Sequence, residues 1–574
     1  MKTFHFVKCN MRQALIYFSL ACAVFFFPMM DVSLAAQNAK PKLILQITVD
    51  QLRGDMPFQH QDRFVDNGFN YLLKQGTVYR DAHHNHANNE TVVGHVTLAT
   101  GAYPSSHGLI GNIWYDRKAG TTVYNIEDPK YHLLSKNADV DKKTEIDPTQ
   151  KAANVDGRSP NTISSSTFSD EILIASAGKS KVFGVSIKDR GAVSMAGHGG
   201  KALWFSKAKQ EFVSSSYYYE EYPSWVTDWN AKKLPATYLN KKWELLHDKK
   251  SYLFADKDDN KWEMDLAKYG RTFPHSFGDS KYFSTLLTIS PVGDELTVDF
   301  AKQLIINEKL GKDNVTDYLS ISLSATDYIG HFFGPSSLES EDNLLRLDKT
   351  LADLLSFIDK QVGLDNTIIV LSADHGGPDA PGYLQEQQLQ GKNVNQNKWE
   401  DFAPIVNVKK TLGIKEDLIE GYHHPYIYLN HNVIDKHNLP LADVQNRIAR
   451  AILLDKDVYR AIASNNIERG SLSNTKLNTA VINNYYPGRS GDIYIVYKPQ
   501  EFINDLDGLK VTSVHGAPWT YDTFVPVIFA GPGITAKHIY RRVETVDVAP
   551  TLSALLNIKP PSASEGKILE EIFK

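Results

Sequence analysis

A chain of 574 residues, 42% hydrophobic and 22% charged, has an ordinary globular composition. It is too long for one simple core and is expected as one large core with sizeable insertions. A formal net charge of −5 removes any electrostatic case for nucleic acid as a partner, and two cysteines cannot build a disulfide framework.

In chain order, Lys2, Lys8 and Arg12 precede an apolar run from Ala14 to Met30, and small residues follow at Ser33, Ala35 and Ala36. That order reads as a signal peptide over residues 1–36, cut near Ala35 or Ala36, which implies a periplasmic or secreted protein with no stable membrane anchor after cleavage. Both cysteines, Cys9 and Cys22, fall in this leader. The mature chain therefore has no disulfide, no thiolate metal site and no cysteine nucleophile. The first apolar strand is Leu43 to Val49. Thr91 to Thr100 reads as a helix ending before Gly101. Further strands are expected at Lys181 to Ile187, Tyr318 to Leu323, Thr367 to Leu371 and Phe524 to Ala530. Each mixes β-branched and aliphatic residues without alternation, as parallel strands buried on both faces do. Leucine and isoleucine recur at helical spacing over Asn343 to Val362, more weakly over Asp299 to Leu310, and a helix is expected at Ala442 to Leu454. The alternation predicts an α/β, doubly wound, mostly parallel central sheet flanked by helices. Stretches at about 116–178, 201–279 and 409–482 break it and are expected as insertions in a core spanning 37–574, the first two as a cap and the third as a smaller lobe.

The Asp and His residues fall at strand ends. Asp50 directly ends the first strand, and Asp327 follows the Tyr318 to Leu323 run with His331 four residues later. Asp374 and His375 closely follow Thr367 to Leu371, and His515 comes after the apolar-containing segment Leu509 to Val514. Singly, each reads as a cap, a turn or a hydrogen-bonded residue. Six at one edge of one sheet, where α/β folds gather ligands, form a carboxylate and imidazole donor set that suits zinc.

The stretches Ile47-Thr-Val-Asp50, Thr91-Val-Val-Gly-His95, Gly108-Leu-Ile-Gly-Asn112, Asp327-Tyr-Ile-Gly-His331, Ala373-Asp-His-Gly376, Val514-His-Gly-Ala-Pro518 and Val546-Asp-Val-Ala-Pro-Thr-Leu552 resemble, in number and order, the alkaline phosphatase superfamily. The similarity is greatest to the branch of nucleotide pyrophosphatase/phosphodiesterases and the zinc phosphate monoesterases related to them, and it spans roughly Lys42 to Phe573. The resemblance implies an alkaline phosphatase-like catalytic domain with cap insertions and two Zn2+ ions. One ion would be held by Asp327, His331 and His515, the other by Asp50, Asp374 and His375 with Thr91. It further implies that Thr91 is the nucleophile, and that Asn112, Lys188 and Arg190 contact the phosphoryl oxygens. Read alone, Thr91 is a helix-capping hydroxyl and Lys-x-Arg a solvated pair. In the family context they imply an exported alkaline phosphatase acting on small-molecule phosphate monoesters through a phosphothreonine. A phosphodiesterase or nucleotide pyrophosphatase on the same fold is the alternative, and a non-catalytic exported zinc-binding protein is the alternative of another class. Threonine in place of a modified cysteine or serine disfavours a sulfatase. His83, His84 and His86 are expected in hydrogen-bonding or packing roles, His95 packed within its helix, and His198 shaping the loop beyond Arg190.

Overall fold

The computed structural model describes residue 1 and residues 40–573 apart from 395–397, 504 and 507–508. The leader expected over residues 1–36 thus lies, Met1 aside, outside the described residues. The central sheet has nine strands: β1 (Leu43–Val49), β2 (Thr77–His83), β3 (Val182–Ser186), β4 (Lys201–Ser206), β5 (Glu211–Val213), β6 (Asp317–Leu323), β7 (Thr367–Ser372), β8 (Phe524–Ala530) and β9 (Lys537–Glu544). Their spatial order is β9-β2-β8-β7-β1-β6-β3-β4-β5. Strands β7, β1, β6, β3 and β4 run parallel, with Leu43 of β1 opposite Asp317 on one side and Thr367 on the other.

Both faces of these strands are dry, which explains their unbroken apolar composition. Leu45, Ile47, Ile321 and Ile369 enter one core, while Ile44, Tyr318, Ile368 and Val370 point into the core on the opposite face. The first core is closed by a 24-residue helix, Leu338–Gln361, which buries Leu344, Leu347, Leu351, Leu354 and Ile358. Each fully buried leucine is worth roughly 1.5–3 kcal/mol. The helix starts five residues before the expected Asn343, because Ser337 caps it by accepting from Ser340 N at 3.1 Å. The second core is closed by the helix Val548–Leu556. The doubly wound α/β class is therefore what the chain adopts.

Four expectations differ. Phe524 to Ala530 was expected to be parallel, yet β8 runs antiparallel to both β7 and β2. A strand buried on both faces carries no directional signal in its composition. The stretch 201–279, expected as a cap, begins with β4 and β5, which extend the central sheet. Within 116–178, the helix Phe168–Ala175 sends Phe168 and Ile172 into the second core, so it belongs to the sheet's flank. The smaller lobe runs past 482: its antiparallel four-stranded sheet joins Ile419–His423, Tyr426–Leu429, Ile493–Tyr497 and Val458–Ala463, and Leu441–Ile452 supplies Val444, Ile448 and Ile452 to its core. Among the described residues no helix is long and apolar enough to cross a membrane.

Candidate active site

Three helices complete the carboxyl edge of the sheet: α1 (Thr91–Thr100), α2 (Asp189–Ala196) and α3 (Ala325–Phe333). Thr91 is the first residue of α1, and Gly101, in the left-handed region at φ 65°, ends that helix. Two motif glycines permit close packing here. A Cβ on Gly94 would stand 1.8 Å from Asp374 O, and one on Gly330 the same distance from Gln51 Oε1. Helix α1 can therefore lie directly on the Asp374 segment only with glycine at 94.

The structure brings all six expected ligands together. Asp50 leaves β1, Asp327 and His331 share one face of α3, and Asp374 and His375 leave β7. His515 reaches the same edge because β8 is antiparallel: the loop before its start lies where the parallel strands end. The imidazoles are fixed by backbone. His331 Nδ1 donates to Ser513 O at 2.7 Å, His515 Nδ1 to Asn89 O at 2.7 Å, and His375 Nδ1 to Gly376 O at 2.9 Å. With Nδ1 carrying the proton, each Nε2 lone pair points inward, the tautomer that ligates a metal. His331 Nε2 and His515 Nε2 each lie 3.3 Å from Asp327 Oδ1, and His375 Nε2 lies 3.4 Å from Asp50 Oδ1. These are acceptors facing acceptors, an arrangement that calls for a cation between them. Donors at zinc-ligand distance and tetrahedral angles sit about 3.3 Å apart. Asp50 Oδ1 and His375 Nε2 are moreover buried with no hydrogen-bond partner among the described residues. Two sets of donor atoms each fall within 4.8 Å of one another, Asp327/His331/His515 and Asp50/Asp327/His375. Asp374 Oδ2 adjoins the second, 3.6 Å from His375 Nε2. Burial, then repulsion from Asp327 and Asp374, pushes the Asp50 carboxyl well above the usual range. Asp327 is held well below it, burial notwithstanding, chiefly by the Lys188 ammonium. The donor chemistry thus fits divalent metal.

Thr91 Oγ1 faces two cations, Arg190 Nη2 at 3.3 Å and Lys188 Nζ at 3.4 Å. Lys188 also reaches 2.6 Å from Asp50 Oδ2 and bonds Asp327 Oδ2, so it lies between Thr91 and the carboxylates. Asn112 Oδ1 accepts from Val92 N at 3.1 Å, which leaves its amide N–H groups for a ligand. A cleft opens over Thr91, Asn112, Arg190, Asp327, His331 and His515.

Several residues of this site were not among those expected. Asp147, on the loop before a short helix, holds Arg190 Nη1 at 2.9 Å through Oδ2, while its Oδ1 accepts from Thr149 N and Oγ1. The Asp-Pro-Thr sequence signals a cap and nothing more. Tyr124 OH donates to Asp189 at 2.6 Å, and Arg158 Nε donates to the other Asp189 oxygen at 2.8 Å, which braces the start of α2. Glu90 accepts from Asn112 N, and burial pushes its carboxyl up to about 7. Gln51 Nε2 donates to Asp327 Oδ1 at 3.3 Å. His95 does more than pack: its Nδ1 lies 2.8 Å from Thr91 O and 3.1 Å from Asp374 Oδ2, and its Nε2 is 2.9 Å from Ser322 Oγ. His83, His84 and His86 form hydrogen bonds to Thr523, Ala373 O and one another, and His198 holds its loop on Asp170.

Arg190 Nε is buried without a partner among the described residues. With Nη1 taken by Asp147, its Nε/Nη2 edge is the one left for a ligand. Asp147→Asn keeps a cap oxygen but removes the counter-charge, and is expected to lower kcat/KM for a phosphate ester about tenfold. The double variant with Arg190→Ala should be no worse than Arg190→Ala alone. Additive losses would show that Asp147 does not act through Arg190.

Sheet order, ligand edge and the threonine-led helix define an α/β phosphoric ester hydrolase of the alkaline phosphatase superfamily. The chain matches the family described as type I phosphodiesterase / nucleotide pyrophosphatase over residues 44–518, and it belongs to that family. It is 32% identical over 540 residues to the alkaline phosphatase PafA of Elizabethkingia meningoseptica, covering 93% of this chain and 95% of that protein. It is 31% identical over 541 residues to the alkaline phosphatase PhoV of Synechococcus elongatus, covering 93% and 94%. The crystal structure of wild-type PafA superposes with a TM-score of 0.84 at 31% identity, over 93% of this chain and 99% of that one.

Proposed function

We propose that this chain is an exported alkaline phosphatase that hydrolyses small-molecule phosphate monoesters through a covalent phosphothreonine at Thr91, with two zinc ions as cofactors. Asp327, His331 and His515 would hold one ion; Asp50, Asp374 and His375, with Thr91, would hold the other. Such a pair, when bound, supplies Lewis-acid charge at the attacking and leaving oxygens and makes a hydroxyl nucleophilic near neutral pH. Thr91 attacks phosphorus in line from the N-terminus of α1, where the helix dipole favours an anionic oxygen. The Nε/Nη2 edge of Arg190, the Lys188 ammonium and the Asn112 amide bind the equatorial oxygens and stabilise the charge that builds there. Water then attacks the phosphothreonine from the side the alcohol vacated, which frees phosphate and restores Thr91. The leader over residues 1–36 would deliver the enzyme to the periplasm or the medium.

One observation carries the monoester assignment: two cations stand 3.3 and 3.4 Å from Thr91 Oγ1. A monoester dianion uses both, whereas a diester has less charge on its terminal oxygens and must also seat a second ester group. The expected result is a higher kcat/KM for phenyl phosphate than for phenyl methyl phosphate on metal-analysed mature protein. A strong preference for the diester would overturn the assignment in favour of a phosphodiesterase.

A further inference from the structure

Beyond its polar end, the cleft changes character. Ile146, Phe332, Leu509, Val511 and Val514 line most of the rest of it, beside Pro148, Thr149 and Tyr328. They are not scattered along the chain relative to the chemistry. Phe332 follows His331, Val514 precedes His515, and Ile146 precedes Asp147, so the apolar wall adjoins the Asp327/His331/His515 group and the Arg190 loop. In an in-line displacement by Thr91, the leaving oxygen departs away from the threonine, toward Asp327, His331 and His515. Whatever is attached to that oxygen meets this wall.

Three carboxylates line the cleft and each is engaged: Asp327 with Lys188 and Gln51, Asp147 with Arg190 and Thr149, Glu90 with Asn112 N. The wall therefore has no spare charged acceptor for a hydroxyl-rich alcohol. A polyol seated there would give up water for methyl and phenyl surface, which costs free energy, whereas an apolar alcohol would gain by the same burial.

We infer that this wall is a leaving-group subsite selecting phosphate monoesters of apolar alcohols, aryl or arylalkyl, over those of polyols. The inference rests on the monoesterase reading and names its substrate class. Its test compares benzyl phosphate with glycerol 1-phosphate, whose leaving alcohols are similar enough in acidity that the chemical step differs little. The purified wild-type enzyme is expected to favour benzyl phosphate by about tenfold or more in kcat/KM. Val511→Thr, which keeps shape but adds a hydroxyl, and Leu509→Asn should each cut that ratio several-fold, while Leu509→Met should keep it. A ratio measured on one preparation cancels any loss of folded protein. A wild-type ratio near unity, or a ratio untouched by Val511→Thr and Leu509→Asn, overturns the subsite. Failure of the monoesterase reading looks different: benzyl methyl phosphate would then be cleaved faster than benzyl phosphate.

Discussion

Under the proposed mechanism, Thr91→Ala is expected to abolish turnover, by at least about 10⁴-fold in kcat, while both proposed zinc ions remain bound. The two halves of that expectation have separate origins. In the proposed mechanism turnover needs Oγ1, which faces Arg190 and Lys188 and has no chemical substitute in alanine. Metal retention needs the carboxylates and imidazoles, and these are held by other means: His375 by Gly376 O, His331 by Ser513 O, His515 by Asn89 O. Asp374 Oδ1 accepts from Gln51 N and His375 N. None of these bonds involves the Thr91 hydroxyl. The helix itself loses nothing at its cap, because Glu90 occupies that position and Thr91 is the first helical residue. Metal analysis and turnover on the same sample separate the outcomes, and near-normal turnover would reject Thr91 as the nucleophile. Acid-quenched wild-type enzyme should also carry phosphate on the chain, and the variant should not.

The residues of this centre were legible in the sequence because they stand where apolar runs stop. Asp50 ends Leu43–Val49, and Asp374 lies two residues beyond β7, so a reader of hydrophobicity reaches both without knowing the fold. His515 was legible as a residue and not as a position, since its arrival at the site depends on β8 running antiparallel. β2 was missed: Arg80 and Asp81 interrupt its pattern, and its pairing shifts register beside them. β9 was missed as well. It is an edge strand whose charged residues face outward, and its sequence therefore looks like a surface segment. Asp147 shows the limit most clearly. Its partner Arg190 is 43 residues away, and locally the carboxylate does only what any capping aspartate does. Pairings of this kind belong to tertiary structure and leave no periodic trace.

Lys188→Ala and Arg190→Ala should each lower kcat/KM for an aryl monoester by about 10²-fold or more, with a clearly smaller loss for the matching methyl diester. Both cations are buried and close to Thr91, where little water screens them, so their effect follows the charge on the transferred group. The two are not equivalent. Arg190 is held from behind by Asp147, and its free edge can bind two oxygens in one plane. Lys188 also neutralises Asp50 and Asp327, so its removal leaves those carboxylates with less counter-charge. Lys188→Ala should therefore also change the affinity for zinc, whereas Arg190→Ala should not. Zinc titration against a competing chelator, run beside the monoester and diester assays, distinguishes the two residues. Equal losses on both esters would mean that the pair organises the nucleophile generally and does not discriminate by substrate charge.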